Sequence, residues 1–145
     1  MTSDSPRPSG APERGKPESF RGRALTASLT VNDIRKSLAW YRDVVGFTID
    51  EEFEREGKLI AVALKAGAVR LMIDQDDGAQ GLDRVKGVGF SVYITTAQNV
   101  DELANQIKAA GGTLESEPAD MPWGARLFRL KDPDGFRIVI ASERE

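Results

Sequence analysis

Along residues 24–31, Leu25, Ala27, Leu29 and Val31 alternate with Thr26, Ser28 and Thr30. This period of two predicts a strand with one apolar and one small polar face. Asn32-Asp33 supplies a helix N-cap. Ile34, Leu38, Tyr41 and Val45 then recur at helical spacing, and Gly46 stands where a left-handed C-cap is wanted. Three strand-like runs follow at 47–53, 59–65 and 69–74, the last two joined by a short hairpin connection at Ala66-Gly67.

The second half repeats the order. Residues 88–95 predict a strand, and Asn99 caps a helix with Glu102 placed for a capping box. Val100, Leu103, Ile107 and Ala110 form its apolar stripe, and Gly111-Gly112 ends it. Strands are predicted at 113–117, 126–130 and 136–141, with the turn Asp132-Pro133-Asp134-Gly135 between the last two. At an offset of 65, Leu38, Ala39, Gly46, Thr48 and Glu52 meet identical residues at Leu103, Ala104, Gly111, Thr113 and Glu117. The pattern is a tandem βαβββ repeat of α+β class. Residues 24–77 form the first module, 78–87 a linker and 88–145 the second module, all within one structural domain.

Residues 1–23 break the pattern. They hold four of the seven prolines, and Phe20 is their one large apolar side chain apart from Met1. Such a segment buries too little surface to offset its ordering entropy and is expected to be a disordered tail, or else an arm docked through Phe20. The tail carries a charge of +2 and the rest of the chain −5, giving −3 overall. That balance is a poor match to nucleic acid, which needs a clustered basic face. There is no apolar run of membrane-spanning length and no apolar leader at the N-terminus. A cytoplasmic protein with no nucleic-acid or membrane partner is expected.

Composition removes whole chemistries. The 145 residues contain no histidine and no cysteine. This rules out disulfides, thiolate nucleophiles, zinc fingers and Ser-His-Asp or Cys-His hydrolysis. Hard-cation binding through carboxylates remains open. Asp74, Asp76 and Asp77 are spaced loosely like such ligands, but they lack the glycine and distal glutamate of a calcium loop. No glycine-rich phosphate loop is present.

Several segments together carry a family likeness. They are Leu29-Thr30-Val31-Asn32-Asp33, the run from Ser37 to Phe47, Pro122-Trp123-Gly124-Ala125-Arg126, and the run from Lys131 to Ile140. Over about residues 24–142 the chain resembles the vicinal oxygen chelate superfamily of glyoxalases, extradiol dioxygenases and bleomycin-resistance proteins. The resemblance implies two βαβββ modules whose sheets curve around a cavity, and a homodimer with cavities built partly across its interface. It places the metal-ligand positions of metal-dependent members at Thr26, Met72, about Gly89 and Val139. Those residue types cannot assemble a divalent-metal site, so no metal and no cofactor are expected.

The same resemblance turns Thr26, Ser28 and Thr30, then Arg70, Met72 and Asp74, then Gly89, Ser91 and Tyr93, and finally Arg137 and Val139 toward the cavity. The expected ligand-binding set is Thr26, Ser28, Phe47, Met72, Ser91, Trp123, Arg126, Phe128 and Val139, with Phe90 adding contact. Trp123 either stacks on a planar ligand, as the corresponding residue does in bleomycin-resistance proteins, or covers one end of the barrel. Arg126 and Arg137 either clamp an anionic group or pair with carboxylates across strands. The acidic run 50–56 is either a solvated edge or a rim attracting a cationic compound.

The expected function is metal-independent binding of a planar or amphipathic small organic molecule. The rival readings are a cofactorless lyase or isomerase with Asp74 as general base, a metal-dependent enzyme with non-standard ligands, and a regulatory module with a filled cavity.

Overall fold

The computed structural model describes residues 20–143. Most of the expected tail therefore lies outside the described residues. The elements are β1 (Ala27–Val31), α1 (Ile34–Ala39) continuing into a π-helical segment (Trp40–Val45), β2 (Thr48–Arg55), β3 (Lys58–Ala66) and β4 (Val69–Gln75). The second series is β5 (Ser91–Thr96), α2 (Val100–Ala109), β6 (Leu114–Asp120), β7 (Arg126–Lys131) and β8 (Arg137–Ser142). Each series makes one four-stranded sheet, in the orders β1-β4-β3-β2 and β5-β8-β7-β6. In both sheets the first strand pairs parallel with the last while the others pair antiparallel. This is the α+β tandem βαβββ architecture that the periodicities predict.

The caps fall where the sequence puts them. The Asp33 carboxylate accepts from the Lys36 N–H at 3.2 Å, and the Asn99 side chain accepts from the Glu102 N–H at 3.0 Å. Gly46 and Gly111, equivalent in the repeat, both have positive φ (107° and 95°), which glycine adopts without the steric cost of a Cβ.

One core serves both modules. It gathers Leu29, Val31, Leu71 and Ile73 from the first sheet with Phe128, Leu130, Ile138 and Ile140 from the second, and Leu38, Tyr41 and Ile107 from the helices. The helices lie on the inner side of both sheets, so each sheet turns its other, concave face away from this core.

Two contacts lock the halves. The buried Tyr41 hydroxyl donates to Asp132 at 2.7 Å, and Asp134 in the same turn accepts from the Asn32 N–H at 3.0 Å. Gly112 meets Val44 so closely that a Cβ would stand 2.7 Å from a Val44 methyl and 2.6 Å from an Ile107 methyl.

Three expectations shift. The first strand starts at Ala27, and Leu25 before it is 93% exposed, because pairing with β4 begins at the Ala27–Leu71 register. The fifth strand starts at Ser91, leaving Val88 exposed and Phe90 set edge-to-face on Phe136. The single helix expected from Ile34 widens into a π-helical turn, where Gly46 and Phe47 both donate to the Tyr41 carbonyl. No helix among the described residues is long and apolar enough to cross a membrane.

Candidate functional site

Strand register decides which side chains share a face. On the first sheet, Ser28, Met72, Ala63 and Glu51 form one row across β1, β4, β3 and β2. Beside it, Thr30, Asp74, Ala61 and Phe53 form another. The Ser28 hydroxyl donates to the Asp74 carboxylate. This face is small-residue and acidic, with Arg70 at its end paired to Asp50 at 2.9 Å.

On the second sheet, the corresponding rows are Tyr93, Val139, Arg129 and Ser116, then Thr95, Ala141, Leu127 and Ala119. Leu127, Val139 and Ala141 form a small buried apolar cluster with Met121 packed against it, distinct from the main core. It is the floor of the second concave face.

Trp123 joins this face through Tyr93, whose ladder partner is Val139 of that floor. It lies in the turn between β6 and β7, where the Gly124 N–H donates to the Met121 carbonyl at 3.0 Å and Gly124 takes φ 98°. Its indole N–H donates to the Tyr93 hydroxyl at 3.3 Å. Tyr93 stands on the strand at the opposite edge of the sheet, three strand spacings or about 14 Å from β6. The hairpin end thus curls across the concave face. Trp123 remains 43% exposed and Tyr93 49%.

The expected binding residues divide. Ser28, Met72 and Asp74 share the first concave face, while Ser91 and Val139 share the second with Trp123 beside them. Thr26 precedes β1 and is exposed, off the sheet.

Phe128 is 0% exposed and faces the helices with Ile140, because the odd-numbered positions of β7 face the cavity and the even-numbered ones the core. Phe47 is likewise core, edge-to-face on Tyr41 at 5.7 Å. Arg126 has the same phase as Phe128. Its guanidinium pairs with Asp101 of α2 at 2.9 Å and with Asp120 at 3.2 Å, which raise its pKa. Arg137 takes the cross-strand option, pairing with Glu115 at 2.8 Å and holding that carboxyl below its usual range.

The Asp74, Asp76 and Asp77 spacing does not converge. Asp74 meets Ser28, and Asp77 accepts from the Ala79 N–H at 2.9 Å. Asp76 is buried and neutralised by Lys86 at 2.8 Å and Arg84 at 2.7 Å. The Lys86 hydrogen bond leads the causes that lower its pKa. Asp76 thereby pins the segment between the modules beside an open polar groove of about 430 Å³, lined in part by Thr30, Gln75 and Arg84.

Sequence reasoning did not single out Arg129. Its place beside Val139 shows only in the strand ladder. Among the described residues no group of three or more carboxylates is placed to hold a metal ion. Thr26, Met72 and Val139 offer a hydroxyl, a thioether and a hydrocarbon, a donor set that does not fit a divalent metal.

These observations agree with comparisons to known proteins. A family model described as Glyoxalase/Bleomycin resistance protein/Dioxygenase superfamily matches residues 23–140. A probable lactoylglutathione lyase of Vibrio parahaemolyticus is 24% identical over 130 residues, covering 86% of this chain and 93% of that protein. Among solved structures, TioX from Micromonospora sp. ML1 is similar at 20% identity and TM-score 0.66, covering 85% of this chain and 98% of that one. TnmS3 from Streptomyces sp. CB03234, described as an antibiotic binding protein, is similar at 20% identity and TM-score 0.65, covering 84% and 96%. At such identity the structures speak for the fold alone, but with the family match they lead to one conclusion: the chain belongs to the glyoxalase/bleomycin resistance protein/dioxygenase superfamily.

Proposed function

We propose that this protein binds a planar or amphipathic small organic molecule without a metal ion, on the concave face of its second sheet. The observation that carries this reading is the pair Trp123 and Tyr93, half-exposed and hydrogen-bonded to each other beside the Leu127–Val139–Ala141 floor. An exposed aromatic pair backed by a buried apolar cluster suits a flat ligand, since rings gain from offset or edge contact beyond simple burial. The antibiotic-binding description of TnmS3 is consistent with such a role on this scaffold. The absence of imidazole and thiolate from the whole chain favours binding over metal-assisted chemistry.

Both concave faces lie outside the shared core, and Phe53 on the first and Trp123 and Tyr93 on the second stay part-exposed in one chain, so a second copy supplying a facing wall fits the geometry. Light scattering of the purified protein should return a dimer, and a monomer at all concentrations would remove that part.

Thermal shift against planar organic compounds tests the binding itself, because a ligand raises apparent stability through mass action. A hit should also change tryptophan emission, and Trp123→Phe, which leaves Trp40, should abolish the change. An unaltered response in that variant takes Trp123 out of the site. Purified protein carrying one equivalent of tightly held transition metal would count against the metal-free reading.

A further inference from the structure

We propose that the bound molecule carries an anionic group beside its planar part, a carboxylate or its like, and that Arg129 receives it. This rests on the reading of the Trp123–Tyr93 face as the ligand platform. Tyr93 and Arg129 flank Val139 in one row of the second sheet, two strand spacings or about 10 Å apart. A fused two-ring acid laid against the exposed rings of Tyr93 and Trp123 spans that distance with its charge at the guanidinium.

Charge matching on this sheet singles Arg129 out. Arg126 is held by Asp101 and Asp120 on the helix side, and Arg137 and Lys131 share Glu115. Among the described residues no carboxylate lies within 4.0 Å of Arg129. Its hydrogen-bond partner is the Ser116 hydroxyl at 3.5 Å, a long contact that occupies one of five N–H donors. Arg129 is half-buried and stands beside the apolar floor, so its charge is screened less than one in open water. A guanidinium in that setting favours a planar anion taken by two parallel hydrogen bonds. A neutral ring would leave the charge unanswered, and a cation would be repelled.

Three probes sharing one ring system test this: 2-naphthoate, 2-naphthalenemethanol and 2-naphthylmethylammonium, each titrated calorimetrically into the full chain. Naphthoate should bind about tenfold tighter than the alcohol or better, as a charge-assisted hydrogen bond provides. Arg129→Gln should bring naphthoate down to the level of the alcohol without moving the alcohol, and Arg129→Lys should retain most of the preference. Where Arg129→Gln fails to fold by circular dichroism, the unaltered protein still decides: raising salt about tenfold should weaken naphthoate and spare the alcohol.

Equal binding of acid and alcohol, or a preference surviving Arg129→Gln, overturns the proposal and leaves the aromatic platform standing. Tightest binding by the ammonium probe overturns it in favour of the Asp74 face. A dimer lost on Arg129→Gln with the probe order unchanged assigns the arginine to the subunit interface instead. Failure of all three probes, with tryptophan emission unmoved, removes the platform reading itself and the proposal with it.

Discussion

The two concave faces are built on one backbone plan with opposite chemistry. Where the first sheet sets Ser28, Met72, Ala63 and Glu51 in a row, the second sets Tyr93, Val139, Arg129 and Ser116. Small and acidic faces aromatic and basic. The inner faces do not diverge in this way: Leu29, Val31, Leu71 and Ile73 of one sheet and Phe128, Leu130, Ile138 and Ile140 of the other all enter one core. The repeat thus preserves what packs against the helices and frees what faces away. On this scaffold the fold is specified from inside, and ligand chemistry is written on the outside.

The largest effect tests which side Phe128 serves. Phe128→Ala should lower unfolding free energy by about 3–5 kcal/mol, the range for deleting a buried ring. Urea titration measures it. A loss under about 1 kcal/mol, coupled with weakened ligand binding, would put Phe128 on the concave face and reverse the phase assigned to β7.

Next comes the seam between the modules. Gly112→Ala forces a methyl against Val44 and Ile107, and should cost about 1–3 kcal/mol as overpacking does. Little change would show that the two halves are more loosely docked than the Val44 contact implies.

Tyr41→Phe should cost about 1–3 kcal/mol, because it strips a donor from the buried Asp132 carboxylate. The pH dependence has a definite sign. Burial raises the Asp132 pKa, outweighing the Tyr41, Phe136 and Asp134 hydrogen bonds that lower it. A carboxyl with a raised folded-state pKa binds its proton more readily folded than unfolded. Its contribution to stability therefore falls as pH climbs above the usual carboxylate value of about 4. Removing the Tyr41 bond raises it further, so the cost of Tyr41→Phe should be greatest at neutral pH and shrink on acidification. Asp76, Asp101 and Glu115 have lowered pKa values, so the stability they provide is lost as pH falls. A Tyr41→Phe cost that grows in acid would contradict the assignment of Asp132.

How much of this was legible in the sequence follows the same division between inner and outer faces. Alternation of Leu29 and Val31 with Ser28 and Thr30, and the capping residues Asp33 and Asn99, carried the element order, because burial and capping leave local signatures. The cavity-facing positions Ser28, Met72 and Val139 came from the family likeness, and strand register sets Ser28 and Met72 side by side on the first sheet and Val139 on the second. Phe128 misled because β7 has apolar residues on both faces: Leu127 on the floor and Phe128 in the core, adjacent in sequence. Such a run has no period from which to choose a side. Leu25 extended the alternation two residues beyond the strand, because hydrophobicity alone does not mark where pairing with β4 begins. Arg129 and the Tyr93–Trp123 contact were hidden for a different reason. They depend on which residue stands across a ladder, and on a turn that curls over the sheet.

The smallest expected effect on stability is also the sharpest test of the comparison. Tyr93→Ser places in the second row the residue that the first row carries at the same point. Tyr93 is half-exposed and its ring is outside the main core, so the change in unfolding free energy should stay within about 1 kcal/mol. Binding should respond more. Loss of one aromatic contact and of the hydroxyl that anchors Trp123 should weaken naphthoate about three- to tenfold. Ser28→Ala, at the equivalent point of the first sheet, should leave naphthoate unchanged. If both variants weakened it equally, the ligand would lie between the two kinds of face, with a first-sheet face from a second copy closing over the second-sheet face that holds the platform. If neither did, the difference between the faces would have no bearing on binding.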